Sequence, residues 1–244
     1  MLSPEYHPDA LNRLRLKAVA NQLGPLNEQV VYVGGATVSL YVDENATLDI
    51  RPTDDVDVII ELASYTNYSQ LDERLRALGF QNDIMSGVIC RYRMPGMLID
   101  VIEHVVVDVM PTKPEILGFS NRWYIEGYER AIDYALDEQT TIRIFSLPYF
   151  LAAKLEALAG RGGRDLRLSS DFEDIVFVLD NAPNLATQLS EGSTWVQTYL
   201  RETFARLLAR PDITEGIYAH LPSRFATARA HRIIGLLTQF CAIE

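Results

Sequence analysis

The chain has 244 residues, and its 22 Lys and Arg residues against 33 Asp and Glu residues give a formal net charge of −11. With 48 % hydrophobic and 23 % charged residues, the composition is that of a globular protein and excludes wholesale disorder. The length predicts one large domain or two small ones. The acidic balance excludes broad, non-specific nucleic-acid binding, because phosphate groups repel an acidic surface.

The acidic residues are unevenly distributed. Residues 1–181 hold 16 basic and 28 acidic residues, whereas residues 182–244 hold six Arg against five acids. Two cysteines are too few for a disulfide framework or a cysteine-based zinc site. No stretch reaches the ~18 apolar residues of a membrane helix, and the N-terminus lacks the apolar core of a signal peptide. We therefore expect a cytoplasmic protein with no membrane association.

The first part of the chain alternates helical and strand-like patterns. Asp9 is expected to cap a helix that ends at Leu23, before Gly24-Pro25. The patterns that follow predict a strand at 29–33, a stop at Gly34-Gly35, a helical segment at 36–41, a strand at 55–60 and a helix at 68–78 capped by Ser69. Two further strand-like segments, at 87–94 and 98–110, are expected to be joined through Pro95-Gly96, the longer one with a break near 103–104.

From residue 146 onward the pattern is helical. Helices are predicted at 148–160, 171–179, between about 193 and 210, and at 222–240. A mixed β/α part over residues 1–145, followed by a helical lobe over residues 146–244, predicts the α+β fold class.

Asp55 and Asp57 are the first candidates for chemistry. Alternation along a strand puts both carboxylates on one face, where they repel each other unless a positive charge lies between them. Mg²⁺ is suited to this, because it prefers carboxylate oxygens and shares its coordination with phosphates. The alternative is an ordinary exposed acidic strand face.

Asp108 lies in an apolar segment, where burying a carboxylate costs free energy unless it is paired or coordinates a metal. It is preferred to Asp100 as a third acid.

Several motifs in order resemble a known superfamily. Gly34-Gly35, Arg51-Pro-Thr-Asp-Asp-Val-Asp57 and Val107-Asp-Val-Met-Pro111 resemble the DNA polymerase β-type nucleotidyltransferases. Phe150-Leu-Ala-Ala-Lys-Leu-Glu-Ala157, Arg161-Gly162 and Ser170-Asp-Phe-Glu-Asp-Ile175 are similar to nucleotidyltransferase-like toxins of abortive-infection and type IV toxin–antitoxin systems. The resemblance covers about residues 29 to 181. It implies a polymerase β-like mixed sheet with flanking helices, followed by the helical lobe.

The resemblance also implies roles for individual residues. Gly34 and Gly35 would cradle the phosphates of an NTP, with Thr37 as a hydroxyl donor and Arg51 pairing with phosphate or with the acids. The remaining residues would serve the metal and the triphosphate: Asp55, Asp57 and Asp108 as Mg²⁺ ligands, Lys154 on the triphosphate, and Asp171 and Asp174 completing the cleft. Without the resemblance, Lys154 would be interpreted as a residue on the solvent-exposed side of an amphipathic helix.

The implied activity is transfer of a nucleoside monophosphate from an NTP to a hydroxyl, with release of pyrophosphate. The implied acceptor is a tRNA or another RNA, and the implied partner is a cognate antitoxin protein. RNA contact is expected at the arginines of the last segment, with solvated helix faces as the alternative: Arg201, Arg206, Arg210, Arg224, Arg229 and Arg232. The competing enzyme hypothesis is transfer to a small molecule such as an antibiotic, or to a protein side chain. The third hypothesis is a catalytically silent binding module.

Trp123-Tyr124 fits either base stacking or a core position.

Overall fold

The computed structural model describes residues 7–43, 46, 50–95, 104–161 and 165–242. The protein is a mixed α/β protein that divides into two compact units. The first unit comprises residues 1–40 and 50–145, and the second comprises residues 41–49 and 146–244. Within the described ranges, no helix is long and apolar enough to cross a membrane.

A seven-stranded mixed sheet forms the centre of the first unit. Its strands are β1 Val30–Val33, β2 Asp55–Ile60, β3 Gln81–Asn82, β4 Arg91–Pro95, β5 His104–Pro111, β6 Ile132–Ala135 and β7 Thr141–Ile144. Their order across the sheet is β3-β4-β5-β2-β1-β7-β6. The prediction of β2 is confirmed at both ends, and β1 begins one residue later than expected.

The strand pairings align one residue from each of four strands in a single row. β2 pairs in parallel with β5, with Asp57 opposite Asp108, and antiparallel with β1, with Asp57 opposite Val33. β4 pairs antiparallel with β5 and has Arg91 opposite Asp108. Arg91, Asp108, Asp57 and Val33 therefore follow one another across the sheet, and Gly34 comes directly after Val33.

The described residues of this unit include four α-helices, α1 Pro8–Leu23, α2 Tyr65–Ala77, α3 Pro114–Leu117 and α4 Tyr124–Glu129, and a 3₁₀ helix at Gly35–Tyr41. α1 buries Leu16 and Leu23 and contacts β2 and β5. It also holds the segment before β2, because the buried Asn12 Oδ1 accepts hydrogen bonds from the Thr53 N–H at 3.3 Å and the Thr53 hydroxyl at 3.1 Å. This anchors the start of the strand that carries Asp55.

The structure corrects both predicted helix caps. α2 begins at Tyr65 rather than Tyr68, because Ser64 caps it by accepting a hydrogen bond from the Asn67 N–H at 3.3 Å; Ser69 lies inside the helix. α1 begins at Pro8, so Asp9 lies in its first turn and pairs with Arg13 at 3.2 Å instead of capping.

The predicted hairpin is also corrected in detail. β4 and β5 are antiparallel neighbours, but β4 begins only at Arg91, because residues 87–90 form turns and not a strand. Pro95 pairs with His104, so Pro95 is a strand residue and not a turn residue; Gly96 lies outside the described residues. β6 and β7 were not predicted.

The second unit is helical. Its helices are α5 Leu147–Gly160, α6 Ser170–Asn181, α7 Leu185–Ser190, α8 Thr194–Leu208, α9 Ile213–Ala219 and α10 Ala226–Cys241. α5 packs against α6 and α8, and α8 packs against α10, where the Phe204 and Phe240 rings meet edge to face with centroids 6.3 Å apart. The four longer helices were predicted; the short α7 and α9 were not.

Candidate functional site

Three carboxylates converge on one face of the sheet in the first unit. Asp55 and Asp57 alternate along β2 with the buried Val56 and Val58, and Asp108 lies beside Asp57 on β5. Carboxylate oxygens of Asp55, Asp57 and Asp108 all lie within 4.8 Å of one another. The parallel pairing of β2 with β5 thus brings Asp108 to Asp55 and Asp57, as predicted for the third acid.

Arg91 is a residue of this cluster that sequence reasoning missed. Its Nε and Nη2 each donate to Asp108 at 2.8 Å, one to Oδ1 and one to Oδ2, and Nη2 also lies 3.2 Å from Asp55 Oδ2. These bonds and the surrounding carboxylate charges raise the pKa of Arg91, so the guanidinium stays protonated. Only the antiparallel register of β4 against β5 brings Arg91 opposite Asp108, and the sequence does not reveal a register.

The two glycines after β1 are required by close contacts with this cluster. Gly34 has a φ of +78°, and a Cβ atom there would lie 2.0 Å from Oδ2 of Asp57. A Cβ on Gly35 would lie 2.7 Å from Cγ2 of Thr53 and 2.8 Å from Nη2 of Arg51. Because glycine lacks a Cβ, the backbone can approach both the carboxylate and the guanidinium closely. Gly34-Gly35 therefore lies between Asp57 and Arg51, beside the cluster.

Thr37 is positioned differently from its predicted role. The residue is fully buried, and its hydroxyl donates to the Gly34 carbonyl oxygen at 3.0 Å. This bond supports the turn that follows β1. The geometry gives no support for a hydroxyl that donates to phosphate, so that role stays a prediction.

Lys154, Asp171 and Asp174 form a separate cluster within the second unit. Lys154 Nζ on α5 lies 3.2 Å from Asp171 Oδ1 and 2.6 Å from Asp174 Oδ2, both on α6. Arg161 Nη1 pairs with the other oxygen of Asp171 at 2.8 Å. All three members of the cluster are buried, whereas the Arg161 side chain is 73 % exposed. The alternative that placed Lys154 on the solvent edge of a helix is wrong.

The structure therefore groups six of the seven predicted acidic and basic site residues into two sets, each within its own unit; the seventh, Arg51, lies beside Gly35. Asp100, the alternative third acid, and Gly162 lie outside the described residues. Trp123 is fully buried, which confirms the core interpretation of that residue.

Half of the arginines suggested for RNA contact pair with carboxylates of their own unit. Arg229 and Arg232 both bind the buried Asp180, and Arg210 lies 2.7 Å from Asp212. A guanidinium held in this way is less available to a phosphate than a solvated one. These pairs weaken the expectation of a basic RNA-binding face on α8–α10.

The donor set of the first cluster fits Mg²⁺. Asp55, Asp57 and Asp108 supply three carboxylates, and a divalent cation would neutralise part of the negative charge that they carry together. Oxygens on one Mg²⁺ lie at about 2.1 Å from the ion, hence up to about 4.2 Å from each other, so a spread of 4.8 Å needs only small side-chain movements. In the second cluster, the two carboxylates already contact one ammonium and one guanidinium of the chain itself.

No protein-family model matches the sequence, and no curated protein matches it either. A functional assignment for this chain therefore depends on the geometry of the site.

Proposed function

We propose that the protein is a Mg²⁺-dependent nucleotidyltransferase that moves a nucleoside monophosphate from an NTP to a hydroxyl acceptor and releases pyrophosphate. The observation that carries this proposal is the convergence of Asp55, Asp57 and Asp108 beside the Gly34-Gly35 turn. A carboxylate cluster next to a glycine turn offers both a divalent-cation site and a backbone that a phosphate can approach.

In the proposed reaction the acceptor oxygen attacks the α-phosphorus, and the bond from that phosphorus to the pyrophosphate oxygen breaks. The acceptor proton passes to a carboxylate of the cluster, for which Asp108 is the candidate. Mg²⁺ bound by the three carboxylates would neutralise phosphate charge and lower the pKa of the attacking hydroxyl. Arg51, beside Gly35, is the candidate for binding phosphate from the protein side.

The topology of the first unit is consistent with the superfamily that the motifs resemble. A strand, a Gly-Gly turn and a 3₁₀ helix precede the Asp-x-Asp strand, and the third acid lies on the parallel neighbour of that strand. On this basis we propose a polymerase β-like fold for the unit. Membership of the toxin family, a cytoplasmic location, a tRNA or other RNA acceptor and an antitoxin partner follow from the resemblance alone.

The proposed triphosphate role of Lys154 carries a structural condition. Its ammonium group already contacts both Asp171 and Asp174. To bind a triphosphate, Lys154 would have to exchange at least one of these ion pairs for a phosphate oxygen.

One observation favours a second candidate function, a catalytically silent binding module. Arg91 already supplies a positive charge to Asp108 and Asp55, as a protein without a metal would require. In such a protein the cluster would be a closed ion network and the fold would serve as a partner surface.

A transfer assay separates these candidates. The purified protein is incubated with Mg²⁺, each labelled NTP in turn, and one acceptor source: total RNA, the protein itself, or an aminoglycoside as a small hydroxyl-bearing molecule. Asp57→Asn removes one carboxylate charge from the cluster, and we expect it to reduce transfer at least about 100-fold. Asp54→Asn is the matched control, because Asp54 is exposed and precedes β2.

The acceptor that becomes labelled shows which type of nucleotidyltransferase the protein is. Label in a tRNA-sized band supports the toxin hypothesis, label on protein indicates protein modification, and label on the small molecule indicates an antibiotic-modifying enzyme. Absence of transfer from every NTP to every acceptor, with wild type indistinguishable from Asp57→Asn, would rule out the enzyme and leave the binding module.

A further inference from the structure

Arg91 makes the most directional ion pair of the acidic cluster. Its guanidinium uses two N–H groups on the two oxygens of Asp108 and contacts Asp55 with the second of them. A planar guanidinium matches a carboxylate in this two-point geometry, whereas an ammonium does not. The Asp108 side chain is only 11 % exposed, so the pair is poorly screened by water.

Both Asp108 oxygens are engaged by a cation of the chain itself. A divalent ion bound to the same carboxylate would lie within a few ångströms of the guanidinium, and two positive groups at that distance repel strongly in a partly buried site. We infer that Arg91 is the resident counter-ion of Asp55 and Asp108, and that it competes with a divalent cation for Asp108. Cation binding then requires the guanidinium to leave that carboxylate. This inference rests on the cation site of the proposed function.

The Arg91 side chain can move toward solvent. It is 26 % exposed while paired with Asp108, so its guanidinium can leave that carboxylate without entering the protein core.

A titration of the metal-free protein with Mg²⁺ alone, followed by isothermal calorimetry, tests the competition. We expect Arg91→Ala to bind Mg²⁺ at least about tenfold more tightly than wild type, because the competing charge is gone. Arg76→Ala is the matched control, since it removes one positive charge from an exposed pair with Asp72 on α2 and should leave the affinity unchanged. Arg91→Lys keeps the charge but loses the two-point geometry, and an intermediate affinity is expected.

The melting temperature, measured with and without Mg²⁺, is a second readout that also reveals a folding defect. Without Arg91, the Asp55 and Asp108 carboxylates lose the cation that they share and repel each other, so Arg91→Ala should melt at a lower temperature than wild type in EDTA and gain more from added Mg²⁺. If Arg91→Ala does not fold, Arg91→Lys carries the comparison, with an affinity several-fold above wild type.

The outcomes distinguish this inference from the proposed function. Tighter Mg²⁺ binding by Arg91→Ala, together with absence of nucleotidyl transfer by wild type, would retain the counter-ion and reject the enzyme. Equal or weaker binding by both Arg91 variants, or absence of Mg²⁺ binding by either, would overturn the inference even if wild type transfers nucleotides.

Discussion

The two ionic clusters of this protein contain similar residues but differ in exposure. In the first unit, Arg91 contacts Asp55 and Asp108, Asp57 lies beside them, and the Asp55 side chain is 39 % exposed. In the second unit, Asp171 and Asp174 share Lys154 and Arg161, and both aspartates are almost completely buried. The first cluster therefore has a carboxylate that solvent can reach, whereas both carboxylates of the second are buried.

An aspartate motif therefore indicates ligand binding only when the positively charged partners of its carboxylates are also known. A buried ion pair with complete hydrogen bonding holds two helices in one arrangement, and removing one partner leaves an uncompensated charge. A partly exposed cluster can instead exchange a protein cation for a soluble one. The sequence motifs of both clusters resemble parts of one active site, but their local chemistry is different.

The largest effect is expected from Lys154→Met, which removes the ammonium of the second cluster while keeping most of the side-chain volume. Asp171 and Asp174 would retain buried negative charge, so we expect a loss of about 3 kcal/mol in the free energy of unfolding, measured by urea denaturation. Arg161→Ala is the control and should cost less than about 1 kcal/mol, because that side chain is 73 % exposed. Unchanged stability of Lys154→Met would remove the distinction between the clusters.

A smaller effect is expected at the first cluster from Gly34→Ala. The positive φ and the 2.0 Å approach of the new Cβ to Asp57 should together cost about 2 kcal/mol and displace the carboxylate, weakening Mg²⁺ binding. Gly24→Ala is the matched control, because Gly24 has a φ of +53° but no atom within 4 Å of the added Cβ. Equal costs in the two variants, with unchanged Mg²⁺ affinity, would show that the contact with Asp57 has no functional consequence.

The smallest effect concerns Cys90, which lies next to Arg91. Burial, with a further contribution from the Asp108 charge, raises the pKa of the Cys90 thiol to about 12. An unfolded thiol ionises near pH 8.5, so above that pH the unfolded state loses its proton first. The thiol's contribution to stability is therefore complete below about pH 8.5 and is lost progressively as the pH rises toward 12.

Urea denaturation between pH 8 and 11 checks this dependence. Cys90→Ala should show a shallower decline in unfolding free energy than wild type, although burial of Tyr68, whose pKa is also raised to about 12, adds a decline common to both proteins. Parallel curves for the two proteins would show that the thiol does not sense its surroundings in this way.

The parts of the fold with a strong local signal were predictable. The strand at Asp55–Ile60 alternates acidic and apolar residues, and its bounds match the structure. By contrast, β6 and β7 are four residues each, and β6 is largely exposed, so neither has a run of apolar residues long enough to recognise. The start of α2 was predicted three residues too late, with Ser69 as its cap, because the sequence does not show which serine side chain meets a helix N–H; in the structure it is Ser64.

The candidate site was predictable in its acids but not in its counter-ions. A carboxylate such as Asp108 inside an apolar strand requires a partner, and this could be read from the sequence. The partner itself could not, because Arg91 reaches Asp108 through the pairing of two strands and is 17 positions away along the chain. The same holds for Asp180 with Arg229 and Arg232, which only the packing of the second unit brings together.

In the proposed exchange, the Arg91 guanidinium leaves Asp108 when the first cluster binds a divalent cation. Crystals grown with Mn²⁺ and measured at its absorption edge test this most directly, since anomalous scattering locates the ion. We predict an anomalous peak at about 2.1–2.2 Å from oxygens of Asp57 and Asp108, with the Arg91 guanidinium no longer on Asp108. Arg91 still bound to both Asp108 oxygens at saturating Mn²⁺, with no peak at the cluster, would contradict the account.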